Sequence, residues 1–239
     1  MSLLDIDQLA AIELPTTDEE IWRYSRIDDL DLGSYRPAPH TPDLAGPTDF
    51  VEIDGATTDL FPDDTPDVFA GLNRSMPSQV RVVVPANRVV DEPIVITHTI
   101  AADGSLVCPR LVIEAGDNSQ VTVVERFVST ATEGASLVVP VLQAAIGQAA
   151  RVSYLGINEL NESTWLIGNQ QAVGQRDMHV HDRKAERAFG HRVPGTGLHG
   201  RDVVARDRAA LDSFGEGEAC AALGRRDAEL HIGKLPGTA

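Results

Sequence analysis

The sequence predicts a mainly β fold: an incomplete right-handed parallel β-helix preceded by a short helical N-terminal region. Three observations point there. First, between Phe69 and Phe127 short β-branched runs alternate with turns: Val80-Arg-Val-Val-Val84, Pro93-Ile-Val-Ile-Thr97, Leu111-Val-Ile113 and Val121-Thr-Val-Val124, punctuated by Pro85-Ala-Asn87, Asp103-Gly104 and Ala115-Gly-Asp-Asn118. Second, the turns recur. Pro85-Ala-Asn87, Ala115-Gly-Asp-Asn118 and Ile146-Gly-Gln-Ala149 lie about thirty residues apart, the period of stacked units. Third, the runs alternate apolar and polar residues, so that Ile94, Ile96, His98 and Ile100 share one strand face, as do Val121, Val123 and Phe127, and Ala150, Val152 and Tyr154.

Composition is consistent with this. The chain has 239 residues, 42% of them hydrophobic and only 5% aromatic; the core is therefore built from Val, Ile, Leu and Ala, which suits stacked strands. A formal charge of −16 argues against nucleic acid and against an anionic membrane, since both require a concentrated positive surface. The charge is uneven. Residues 1–177 hold 27 acidic side chains against 10 Arg and no Lys, whereas residues 178–239 hold 9 acidic side chains against 8 Arg and 2 Lys. Cys108 and Cys220 are the two cysteines, too few for a four-thiolate cluster within the chain and too sparse for a disulfide framework. With no signal peptide pattern and no long apolar run, the expected location is cytoplasmic.

Taken in order, Leu3, Leu4, Ile6, Leu9, Ile12 and Leu14 have helical spacing before Pro15, and Thr17-x-x-Glu20 reads as a capping box opening a second helix through Trp22 and Tyr24. Gly33 to Thr48 carries four prolines and reads as a linker. Phe50 to Gly55 reads as a strand ending in a turn, and Phe61 to Pro66 as a surface loop. Asp63, Asp64 and Asp67 lack the spacing of a calcium loop and read as solvated. Strands continue through Ser136–Gln143, Ala149–Leu155 and Thr164–Gly168 to Asp177. The expected organisation is a helical region and linker over 1–48, a β-helix core over 49–177, and a divergent, poorly ordered tail over 178–239. The tail holds 9 of 20 glycines and 5 of 7 histidines, a bias expected of a stretch read out of frame, with a genuine lineage-specific tail as the alternative.

Several residues invite chemistry. His98 faces inward and reads as a hydrogen-bonded core histidine. Cys108 beside Pro109 reads as a small buried hydrophobe, with Arg110 the nearest cation. His179-x-His181-Asp182, with His191 or His199, has metal-like spacing, but the basic run Arg183-Lys-Ala-Glu-Arg187 that follows favours histidines of a weakly structured tail. Gly195-x-Gly197-x-x-Gly200 matches a dinucleotide pattern without a strand before it, and no phosphate-binding loop is present. No catalytic residue and no metal ligand is assigned, the cofactor-binding residues are unknown, and the chain is not expected to be an enzyme.

The stretch around Phe69-x-x-Leu72-Asn73, Val84-Pro85, Pro93-Ile94 with His98, Pro109-Arg110-Leu-Val and Val121-Thr-Val-Val-Glu125, together with Glu20-Ile-Trp22-Arg23-Tyr24, resembles the SufB/SufD family of iron–sulfur cluster assembly proteins over about Glu19 to Asp177, the D-type subunit more than the B-type. The resemblance implies a scaffold subunit working with a B-type (SufB) subunit and the SufC-type ATPase, with an iron–sulfur cluster only on the assembled scaffold. The alternatives are a β-helical carbohydrate-active enzyme, against which the absence of Lys before residue 178 counts, and a β-helical interaction module without chemistry.

Overall fold

The structure, a computed structural model, describes residues 6–53, 58–76, 78–100, 103–174, 179–186 and 196–197. In chain order its strands are β1 (Arg36–Pro37), β2 (Asp43–Ala45), β3 (Val51–Ile53), β4 (Val80–Val84), β5 (Ile94–Ile100), β6 (Ser105–Val107), β7 (Arg110–Ala115), β8 (Gln120–Ser129), β9 (Leu137–Val138), β10 (Val141–Ile146), β11 (Arg151–Glu159), β12 (Trp165–Ile167), β13 (Asn169–Gly174), β14 (His179–Glu186) and β15 (Thr196–Gly197). Two α-helices are described, α1 (Ile6–Ala10) and α2 (Val68–Arg74), with single 3-10 turns at Ile27–Asp29, Leu32–Ser34 and Thr48–Phe50.

The strands form three sheets, ordered β13-β10-β7-β4-β3, β14-β11-β8-β5-β2 and β1-β6-β9-β12-β15. From β4 onward the chain visits the sheets in turn, three strands to a coil, and every pairing between coils is parallel. Val80 aligns with Leu111, Leu111 with Leu142 and Leu142 with Gln170, an advance of about thirty residues per coil, as the turn spacing predicts. This is a β-solenoid. Its interior is filled by the alternating residues read from sequence: Val80, Val82 and Val84 face Ile94 and Ile96, with Leu111, Ile113, Val121 and Val123 in the next coil. The series also passes Asp177, because β14 pairs in register with β11. Backbone pairing with a neighbouring coil needs no apolar alternation in the added strand, so the loss of that pattern there does not mark the last strand.

The recurring turns form one corner column. Asn87, Asn118 and Ala149 all have positive φ, 61°, 54° and 55°, and Asn118 Nδ2 donates to Asn87 Oδ1 at 3.1 Å. Asn adopts this left-handed conformation readily, whereas Ala adopts it at a steric cost. The same corner demands glycine for a different reason, close approach of stacked backbones: a Cβ on Gly116 would sit 2.5 Å from the Ala86 nitrogen, and one on Gly147 2.6 Å from the Asp117 nitrogen.

The N-terminal region caps the first coil. β1 runs parallel to β6, while β2 and β3 lie antiparallel on β5 and β4, so each sheet receives one short strand at its open edge. The stretch Gly33–Thr48, read as a linker, thus carries two of the three capping strands; prolines fit because these are edge strands. The second predicted helix is not formed. Residues 16–25 make successive i→i+3 turns, Glu19 N to Thr16 O, Trp22 N to Glu19 O and Ser25 N to Trp22 O, and Thr17 Oγ1 donates to Asp28 Oδ2 at 2.6 Å rather than capping Glu20. Long-range competition for the hydroxyl overrides the local signal. Trp22 packs against Phe69 with ring centroids 5.5 Å apart. Helix α2, unforeseen inside a β-rich stretch, begins where Asp67 accepts from Ala70 N at 2.8 Å. It and the N-terminal turns cover the outer face of the third sheet, burying Leu106, Leu137 and Ile167 beneath Trp22, Leu30, Phe69 and Leu72. Most of the segment 178–239 lies outside the described residues.

The corner column yields a pair of opposite expectations. Gly116→Ala forces stacked backbones apart and lowers stability by about 2 kcal/mol, whereas Ala149→Gly relieves a left-handed alanine and raises it by about 1 kcal/mol. Urea denaturation of the two variants checks both signs.

Candidate functional site

Inside the solenoid a line of polar side chains runs from the cap through three successive coils. The alternation of β5 turns His98 inward, that of β8 turns Glu125 inward and that of β11 turns Tyr154 inward. Glu125 Oε1 lies 2.9 Å from His98 Nε2, and Tyr154 Oη donates to Glu125 Oε2 at 2.5 Å. His40, between β1 and β2, approaches with Nε2 2.8 Å from His98 Nδ1. His98 and Glu125 are 2% exposed, and the His98 ring stacks on Phe127, its partner in register, at 5.1 Å between centroids. Gly156, in register with Glu125, leaves the space that the tyrosine occupies: a Cβ there would lie 3.3 Å from Tyr154 Oη.

As a carboxylate, Glu125 accepts from both neighbours. This places the His98 proton on Nε2 and leaves Nδ1 to accept from His40 Nε2–H. Every hydrogen bond in the line then points toward one buried anion, the arrangement a charge needs in a low-dielectric interior. Burial chiefly, and the neighbouring His98 next, push His40 down to about 4, while Asp43 pulls the other way.

A second buried network fastens α2 to the coils. Asn73, fully buried, donates through Nδ2 to Pro109 O at 2.8 Å and to Val139 O at 2.7 Å, and accepts from Arg110 Nε at 3.1 Å. Asp59 pairs with Arg74 at 2.7 Å, lies 3.8 Å from Arg110 and accepts from Gln143 Nε2 at 2.8 Å. Burial raises the Asp59 carboxyl, but the Gln143 and Phe61 hydrogen bonds and the two guanidinium groups outweigh it, so its pKa falls below the ordinary value. Burial lowers Arg110, against the pull of Asp59. One coil further on, Gln171, in register with Gln143, and Asn169 are both 3% exposed and have side-chain amide atoms without a partner among the described residues.

The residues singled out from sequence fall unevenly across this arrangement. His98 is the hydrogen-bonded core histidine expected. Cys108 is buried and its thiol is pushed up by burial, with Arg110 opposing weakly, which suits packing rather than a thiolate ligand. Asp67 caps α2. His179 and His181 lie on β14 opposite Arg151 and Ser153; their side chains, and His191, His199 and Cys220, lie outside the described residues. Of the glycine pattern only Gly197 is described, on β15. Among the described residues no group of three His, Cys, Asp or Glu side chains is placed to hold a metal ion, and no helix is long and apolar enough to cross a membrane. His40, Glu125, Tyr154 and Asn73 received no role from sequence. The alternation already sets Tyr154 on one face with Ala150 and Val152, and extending it through Val121, Val123 and Phe127 would have set Glu125 inward as well.

Fold and interior together define a β-solenoid with a polar line through its core and its first coil capped by edge strands. Residues 98–191 match the family model described as SUF system FeS cluster assembly, SufBD core domain. The matched segment runs from β5 past the end of β14 and supports a relation to the SufB/SufD family of iron–sulfur cluster assembly proteins. No curated protein matches the chain, and no solved structure does.

Two outcomes follow from the Asn73 network. Asn73→Ala removes a donor from the buried carbonyls of Val139 and Pro109, of which Pro109 keeps the Val141 N–H, and strands the Arg110 Nε–H, at a cost of about 3 kcal/mol in denaturant unfolding. Because Asp59 is held below its unfolded pKa, its contribution is present above the ordinary carboxylate range and is lost as pH falls through that range and below. The wild-type midpoint of urea unfolding should therefore drop more steeply than that of Asp59→Asn on acidification from about pH 5 to pH 3.

Proposed function

We propose that this chain is a D-type subunit of the Suf iron–sulfur cluster assembly scaffold. It acts with a B-type subunit and an ABC-type ATPase in the cytoplasm, has no catalytic activity of its own, and meets an iron–sulfur cluster only as cargo of the assembled scaffold. The observation that carries the reading is the coincidence of the matched segment, residues 98–191, with the stacked coils from β5 to β14. The chemistry of the interior agrees with a structural part: His98, Glu125 and Tyr154 are bonded to one another, and the Cys108 thiol is held in its protonated form by burial. The sequence motifs from Phe69 to Glu125, taken together in their order and spacing, resemble the D-type subunit more than the B-type.

Co-expression with a B-type subunit and the ATPase, followed by native mass spectrometry, tests this. A complex containing all three chains is expected. A chain that stays at 25.6 kDa in the presence of both partners would overturn the reading and leave an interaction module with other partners.

A further inference from the structure

The stretch Glu20-Ile-Trp22-Arg23-Tyr24 divides its large apolar side chains. Trp22 is buried against Phe69, whereas Tyr24 is 91% exposed and Ile21 36% exposed. Single exposed apolar residues are ordinary, but these adjoin an open apolar cleft. The cleft, of about 350 Å³, lies between the turns that follow α1 and the start of α2. Its floor is Leu14, Trp22 and Val68, which belong to or pack on the cluster covering the third sheet. Pro15 and Pro66 in its wall have no N–H to give, so a bound chain would be held by its side chains rather than as an added strand. The rim is acidic. Glu13, Glu19 and Asp67 line the cleft, and among the described residues no Arg or Lys does. Glu19 Oε1 accepts from Thr16 N at 3.3 Å and Asp67 Oδ1 from Ala70 N at 2.8 Å, neutral donors that leave both charges uncompensated. The neighbouring guanidinium groups are engaged elsewhere: Arg23 pairs with Glu20 at 2.6 Å and Arg26 with Asp29 at 2.7 Å. Three like charges around an apolar floor repel one another and favour an occupant that brings positive charge.

We propose that this cleft docks a segment of a partner polypeptide that sets a large apolar side chain on Leu14, Trp22 and Val68 and flanking Arg or Lys side chains on Glu13, Glu19 and Asp67. The apolar anchor supplies the buried area, and the cations supply orientation and selectivity. The volume suits a side-chain anchor and not the face of a folded domain. Ile21 and Tyr24 at the edge extend the contact beyond the anchor. Docking here does not require the chain to be a Suf subunit, since the cleft lies outside residues 98–191.

Selection of randomised peptides of about twelve residues against the full chain, followed by fluorescence anisotropy titration of the enriched peptides, tests the site. Enriched peptides should carry a large apolar residue flanked by Arg or Lys. The double variant Glu13→Lys, Glu19→Lys should weaken their binding about tenfold or more, and added salt should weaken it in the wild type. Both carboxylates are exposed, so the variant should keep the wild-type urea midpoint. If it does not fold, Ile21→Ser takes its place with a loss in the same direction. Enrichment of acidic or uncharged peptides, or binding that these variants leave unchanged, would overturn the proposal. Two other occupants would overturn it as well. Carbodiimide joins carboxylates to lysine, and the chain has only Lys184 and Lys234; a link within one chain from Glu13 or Glu19 to Lys234 would put the protein's own C-terminal segment in the cleft. A dimer that the double variant dissociates would put a second copy there.

Discussion

Everything in this molecule depends on backbone hydrogen bonding between coils in fixed register. Each coil satisfies its donors and acceptors only through the coils above and below, so the stack is stable in its middle and exposed at its ends. The first coil answers this with β2 and β3, which reverse direction to lie on β5 and β4. Antiparallel strands cannot continue the solenoid and so end it. Outside the barrel, Arg81 bridges Glu52 of β3 and Glu114 of β7 at 2.9 and 2.6 Å, which ties the cap to the second coil across the first. Exposed pairs of this kind contribute little each; their value lies in fixing which strand lies where.

The polar line inside the core does the same from within. A slip of two residues keeps every apolar side chain of a strand on the inner face, so an all-apolar interior of Val and Ile would oppose it little, one β-branched residue replacing another. In β8 such a slip would carry Glu125 along the inner face to the place of Val123 or Phe127 and leave His98 and Tyr154 without a shared acceptor. The buried network therefore discriminates among registers more than it adds to total stability. The Asn73 network plays a comparable part for α2, whose short length gives it little stability of its own.

The coils were legible in the sequence because their causes are local and repeated. Asn87, Asn118 and Ala149 mark one corner, and the alternation at Ile94 to Ile100 and Val121 to Phe127 marks the inner face. The cap was not legible. Strands of two or three residues carry no periodicity, and Pro37, Pro39 and Pro42 suggest a linker whether or not an edge is near. His98, Glu125 and Tyr154 could each be set on an inner face, but not joined: the contacts of Glu125 with His98 and with Tyr154 run diagonally between coils, with sequence separations of 27 and 29 residues. Thr17 shows the reverse case, a local capping signal lost to Asp28, eleven positions away.

The parallel stack also gives the molecule a mechanical grain. Tension applied along the solenoid axis loads the hydrogen bonds between coils one strand at a time, beginning at an end, whereas tension across the axis loads whole sheets in shear. Since each coil holds about thirty residues, peeling one coil releases roughly 10 nm of extended chain. Extension would therefore proceed as a staircase of near-equal steps, set by the same repeat that places Leu111 over Val80 and Leu142 over Leu111.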